Sequence, residues 1–176
     1  MCDVNFPCLP DRQAFSPIHR YNPCVSSVHI IYASTSGHTE YVVDTLIPLL
    51  QKAGVIVTKG LVDLAKPEDL MKADFLILGS GTWNTGGIEG QLNPHMHTFV
   101  HGPAKDVDLK GKNVAIIALG DDRYFYTSRA GEHLRNFIQK HGGKVLGDAL
   151  VVINEPYGQE EKIRKWSEKF LTWIRP

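Results

Sequence analysis

Three short runs of this chain are apolar at nearly every position: Val28-His29-Ile30-Ile31-Tyr32-Ala33, Phe75-Leu76-Ile77-Leu78-Gly79 and Val114-Ala115-Ile116-Ile117-Ala118-Leu119. A strand with one face in water alternates apolar and polar side chains, so a strand that is apolar throughout must be covered on both faces. Between the runs lie segments with helical spacing. In one, Val43, Leu46, Ile47 and Leu50 stand at i, i+3, i+4 and i+7 and form one apolar face. Strands covered twice and separated by helices imply an α/β fold, with a parallel sheet between two helix layers and right-handed crossovers. In such sheets ligands collect at the carboxyl ends of the strands, where the winding direction reverses.

Taken in order, the chain gives five strands. The first is residues 28–33. The helix after it carries Pro48, which should bend it or end its regular part early, and Gly54 closes it. The second strand is residues 55–62, and a short helix covers 67–73 with Pro67 at its start. The third strand, 75–79, leads into a glycine-rich loop at 80–87, and a helix falls within 91–100. The fourth strand is 114–119. Ala130, Leu134, Phe137 and Ile138 mark the next helix, which ends at Gly142-Gly143. The fifth strand spans about 144–153. Ile163, Trp166, Phe170, Trp173 and Ile174 form the apolar face of the last helix. Residues 1–27 hold Pro7, Pro10, Pro17 and Pro23 and show no periodicity, so they read as an irregular N-terminal extension to one domain at 28–176.

Composition narrows the partners. Nineteen Lys and Arg balance nineteen Asp and Glu. Zero formal charge argues against nucleic acid or an anionic membrane surface, both of which select basic proteins. No apolar run approaches the roughly 20 residues that cross a bilayer, and no basic start with a long apolar block marks a signal peptide. The cysteines are Cys2, Cys8 and Cys24. An odd number, absent from the domain itself, fits a reducing compartment, and a cytoplasmic monomer is expected. These cysteines with His19 contain no C-x-x-C pair, and His95, His97 and His101 have no acid or Cys among them; no metal site is assigned.

The chemistry concentrates in three loops. Ser34-Thr35-Ser36-Gly37-His38-Thr39 lies between the first strand and its helix, with four hydroxyls and no Lys or Arg. Free N–H groups at a helix start, with the positive end of the helix dipole behind them, bind anions. The loop is neither a P-loop nor the three-glycine dinucleotide turn. It reads either as a cradle of neutral donors for a phosphate monoester or as a plain turn with a Ser/Thr cap. The second loop, with Ser80, Gly81, Thr82, Trp83 and Asn84, offers an aromatic plate beside glycines that let a ligand approach the backbone. The third follows Leu119 with Gly120, Asp121, Asp122, Arg123, Tyr124, Tyr126 and Ser128, adding two tyrosine plates beside acids. A phosphate cradle facing aromatic plates describes a site for a phosphorylated, flat heteroaromatic ligand.

On these loops the chain, from about residue 28 to its end, resembles the flavodoxins, small carriers of flavin mononucleotide (FMN). Residues 34–39 look like the family's T/S-x-T-x-x-T phosphate loop, followed by Glu40-Tyr41. Gly81-Thr82-Trp83 looks like the loop whose Trp covers one flavin face. Gly120-Asp121-x-x-Tyr124-x-Tyr126 looks like the third loop, with Tyr124 stacking on the other face. The resemblance implies a three-layer sandwich with a five-stranded parallel sheet in the order 2-1-3-4-5, and such folds are themselves the standard example of a ligand at the switch point between strands one and three. It implies the short-chain type, since 144–153 leaves no room for an inserted loop. The implied FMN-binding residues are Ser34, Thr35, Ser36, Gly37, His38, Thr39, Ser80, Gly81, Thr82, Trp83, Asn84, Leu119, Gly120, Asp121, Tyr124, Tyr126 and Ser128, with none catalytic. The implied function is low-potential one-electron transfer between redox proteins, a reductase donor and an oxidoreductase acceptor. The alternative is a flavodoxin-like NAD(P)H-dependent quinone or flavin reductase. Plates over both ring faces would obstruct hydride transfer, and no second nucleotide fingerprint is present. Asn84 stands where many members have Gly, so a smaller stabilisation of the half-reduced ring is expected. His38, where relatives often have Asn, is expected to donate one neutral hydrogen bond, and Arg123 to pair with a neighbouring acid.

Overall fold

The central strands bury both faces, as their composition requires. The computed structural model describes residues 25–175; the expectations on residues 1–24, including Cys2, Cys8, Cys24 and His19, lie outside them. The elements run β1 (Ser27–Tyr32), α1 (His38–Lys52), β2 (Ile56–Leu61), two 3-10 turns (Val62–Leu64 and Pro67–Met71), β3 (Phe75–Thr85), β4 (Ile88–Leu92), α2 (Pro94–His101), β5 (Asn113–Gly120), α3 (Ala130–Lys140), β6 (Lys144–Val145), β7 (Leu150–Ile153) and α4 (Glu160–Ile174). On one face of the sheet Ile30 and Tyr32 of β1, Ile77 of β3 and Ile117 of β5 pack with Val43 and Leu46 of α1 and Phe170 of α4. The alternate residues Ile31, Leu76, Leu78 and Ile116 pack on the other face with Phe99 of α2 and Leu134 of α3. This is the three-layer sandwich. Among the described residues no helix is long and apolar enough to cross a membrane.

Among the described residues the sheet has seven strands rather than five. Its main path is β2-β1-β3-β5-β6, with β7 also on β5 and β4 on β3. The expected order survives in outline, since β5 is the fourth strand of the sequence reading. Two corrections account for the difference. The fifth strand is split: β6 pairs Asn113 and Val114, and β7 pairs residues 117–120 of the same neighbour. Between them Gly147 takes φ 52° against the Trp173 ring, where a Cβ would lie 2.1 Å from the indole. The break is short, so no inserted loop interrupts it. The second correction concerns residues 80–87. They are not a loop throughout; β3 continues through Thr85, turns at Gly86-Gly87 and returns antiparallel as β4. Both turn glycines have positive φ, 64° and 77°, which a two-residue hairpin needs.

α1 neither stops nor breaks at Pro48 but continues to Lys52. Pro48 and Asp44, whose carbonyl loses its usual N–H partner, are both on the exposed side, where water can serve that oxygen. Gly54, at φ 87°, donates to the Gln51 carbonyl and closes the helix. The expected helix in 91–100 is α2, starting with Pro94 at its first position and capped by the Asn93 side chain, which accepts the His95 N–H at 3.1 Å. β1 lies between β2 and β3, so the chain winds outward to β2 and then reverses to β3. The ends of β1 and β3 therefore diverge into opposite helices and leave a crevice between their loops.

Candidate functional site

The crevice is a cleft of about 840 Å³ at the carboxyl ends of β1, β3 and β5. Its first wall is the loop from Tyr32 to α1. Gly37 takes φ 85° and starts the helix, and Ser34 Oγ accepts the Glu40 N–H at 3.3 Å. These two residues shape the loop and do not line the cleft; Thr35, Ser36, His38 and Thr39 do. Among the described residues, the backbone N–H groups of Thr35, Ser36, Gly37, His38 and Thr39 meet no protein acceptor. The donors at this helix start, with the Ser36 and Thr39 hydroxyls, which have no partner among the described residues, form an anion cradle with no Lys or Arg.

The second wall is the β3–β4 hairpin. Ser80 is fully buried and accepts the Asn93 N–H at 3.1 Å, so it builds the wall from behind rather than facing the cleft. Thr82 Oγ1 accepts the Ala130 N–H at 3.1 Å and caps α3 from across the sheet. The Trp83 indole folds back over Gly81, where a Cβ would lie 3.0 Å from Nε1. Trp83 keeps 36% of its surface exposed. Asn84 sits at the irregularity in the pairing between Trp83 and Thr85, on the cleft side.

The third wall follows β5. Leu119, Gly120, Asp121, Tyr124 and Tyr126 all line the cleft, and Ser128 lies behind it, its carbonyl accepting the Gly131 N–H. Tyr124 stands 57% exposed. Tyr126 packs its side chain against Gly90 of β4 and carries the Arg129 guanidinium 4.5 Å from its ring centre, so it is a wall fixed by β4 more than a free plate. Arg123 grips Asp121 through Nε at 2.9 and 3.0 Å and through Nη2. Those bonds and the Arg123 N–H hold the Asp121 carboxyl at about 2 and push the guanidinium further up. His38 meets Glu155 at 3.1 Å.

Several cleft residues escaped the sequence reading. Asn93 donates from Nδ2 to Thr35 Oγ1 at 2.9 Å and so ties the first wall to the second. Gly90 enters with β4; the signal for it was the Gly86-Gly87 dipeptide, a two-residue hairpin turn. Asn154 and Glu155, after β7, carry no motif. With Glu89, Asp121, Asp122 and Glu155 on its rim and its arginine engaged, the cleft mouth is acidic despite zero net charge. Elsewhere His95 pairs with Asp63, and the His97 and His101 rings lie 4.4 Å apart. Among the described residues no three His, Cys, Asp or Glu side chains are placed to hold a metal.

The family model described as Flavodoxin matches residues 30–166. A flavodoxin of Maridesulfovibrio salexigens is 27% identical over 138 residues, spanning 78% of this chain and 91% of that protein. A probable flavodoxin 2 of Bacillus subtilis is 25% identical over 139 residues, 78% and 89% of the two chains. The crystal structure of oxidised flavodoxin 2 from Bacillus cereus superposes with a TM-score of 0.76 at 27% identity, covering 84% of this chain and 99% of that one.

Proposed function

This chain belongs to the flavodoxin family, and we propose that it is a low-potential one-electron carrier working in the cytoplasm between a reductase donor and an oxidoreductase acceptor. FMN is its cofactor and electron transport its work. The residues fit that group. The cleft offers unpaired N–H and hydroxyl donors at one end and two exposed aromatic rings, Trp83 and Tyr124, at the other. That pairing of a neutral anion cradle with aromatic plates in one cleft is the observation that carries the reading.

When bound, FMN supplies a ring that accepts and returns electrons. In this reading the N–H groups of Thr35, Ser36, His38 and Thr39, with the hydroxyls of Thr35, Ser36 and Thr39, would hold its phosphate, aided by the positive end of the α1 dipole. Asn93 orients the Thr35 hydroxyl by donating to its oxygen, which leaves the Thr35 O–H free to donate into the cleft. Trp83 and Tyr124 would cover the ring faces and exclude water. Asp121, Asp122 and Glu89 place negative charge near the cleft, and Arg123, paired with Asp121, cancels only one of the three. A dry, acidic, electron-rich surrounding disfavours added negative charge and so lowers the potential at which it is accepted. The acidic mouth also favours partners with basic surfaces and speeds their approach at low ionic strength.

A visible spectrum of the purified chain tests cofactor binding, and a spectroscopic redox titration tests the potential. A colourless protein that takes up no FMN defeats the reading. Rapid direct reduction by a nicotinamide cofactor in stopped flow, without a partner protein, would replace the carrier with a reductase.

A further inference from the structure

Asn154 follows β7 directly and is, among the described residues, the one non-glycine with positive φ, 65°. Asn enters that region more readily than other non-glycine residues because its short amide can bond nearby backbone. Here the amide reaches elsewhere. Its Oδ1 accepts the Asp122 N–H at 3.0 Å, and its Nδ2 donates to the Asp122 carboxylate at 2.9 Å. The Asn154 N–H donates to the Gly120 carbonyl at 2.8 Å, which fixes the amide directly below the third loop.

The rest of that loop has its own anchors. The Thr127 carbonyl sits against Gly120, and the Tyr126 N–H donates to Glu89 at 3.2 Å. The turn at 121–124 shares them at one point only, where the Thr127 hydroxyl donates to the Tyr124 carbonyl at 3.2 Å. It is closed on itself, by the Tyr124 N–H on the Asp121 carbonyl at 3.2 Å and by Arg123 on Asp121. Among the described residues, Asp122 is the only member of the turn that another element holds by hydrogen bonds, and Asn154 is what holds it.

We infer that Asn154 is a positioning residue: its two bonds to Asp122 fix where the 121–124 turn, and therefore Tyr124, stands over the cleft. The inference rests on the reading of this cleft as the FMN site. An unheld turn would let Tyr124 sample positions away from Trp83, and binding would then carry the ordering cost that Asn154 now removes in advance.

The test is an exchange. Asn154→Asp sets a second carboxylate about 2.9 Å from that of Asp122 and is expected to weaken FMN binding by the full chain roughly tenfold, the scale of one or two lost hydrogen bonds. Adding Asp122→Asn exchanges amide and carboxylate, restores both bonds and should return affinity to within about threefold. Adding Asp122→Ala to Asn154→Asp gives the same net charge without the amide and should stay weak. Asn154→Gly keeps the left-handed backbone, removes the amide and should weaken binding several-fold with little change in thermal midpoint. Wild-type-like binding by Asn154→Asp, or equal recovery by both double variants, overturns the inference. If the wild-type chain itself takes up no FMN, the reading of the cleft falls and the inference with it; tight wild-type binding with indifferent variants overturns the inference alone.

Discussion

Gly120→Ala should unseat the third loop. Gly120 ends β5, and a Cβ built there would lie 1.2 Å from the Thr127 carbonyl oxygen and 2.3 Å from its carbon. Ordinary van der Waals contact needs more than 3 Å, so the backbone at Thr127 must retreat by about 2 Å. It has little freedom to do so, because Ser128 accepts the Gly131 N–H and Thr82 caps Ala130. Overpacking of this kind costs about 1–3 kcal/mol. For a chain of this size each kcal/mol shifts the thermal midpoint by roughly 2–4 °C. The larger effect should fall on the cleft, whose third wall moves while the rest of the fold stands; misplaced Asp121 and Tyr124 should weaken FMN binding by roughly tenfold or more. Thermal unfolding without flavin and a fluorescence titration with FMN read the two effects separately. Gly111→Ala is the control, since that glycine has φ 78° with nothing within 4 Å, and it should cost stability alone. A Gly120→Ala protein with unchanged midpoint and affinity within twofold of wild type would refute the reasoning.

Three further outcomes follow from particular residues. Leu46 has no exposed surface in the α1 layer, so Leu46→Ala should destabilise by about 2–5 kcal/mol in chemical denaturation; a loss under about 1 kcal/mol would mean that the layer can collapse around the cavity. His29 is buried on β1 with a ring nitrogen 2.7 Å from Thr58 Oγ1. Burial, then the nearby Lys72, push its pKa below the usual 6.5. The unfolded chain thus takes up a proton that the native state resists, so stability should fall as pH drops below about 6.5, and His29→Asn should show a shallower slope between pH 6.5 and 5. The carboxylates held low by hydrogen bonds, such as Asp74 beside Ser27, act only in the more acidic range. Asn84→Gly should widen the gap between the first and second reduction potentials in a redox titration, because glycine turns its peptide more freely at the irregularity of the hairpin; an unchanged gap would remove Asn84 from the tuning.

What the chain determined by itself is local in origin. Three apolar runs required burial on both faces, and helical spacing around Leu46, Leu134 and Phe170 supplied the covering layers, so the sandwich and the three loops that meet at the cleft were legible in the sequence. The hydroxyl loop at 34–39 was legible for the same reason, since a strand, a turn and a helix start adjoin in sequence. Tertiary structure decided whatever depends on residues far apart. β3 runs on past Gly79 because β4 folds back to satisfy its backbone, and the strand at 144–153 splits because Gly147 yields to Trp173. Asn93 reaches Thr35 across 58 residues, and Asn154 reaches Asp122 across 32. Amide side chains like these carry no periodicity and no motif. Their partners are set only when the sheet order brings β1, β3, β5 and β7 to one edge, and there a hydrogen bond forms wherever two polar groups are left facing each other.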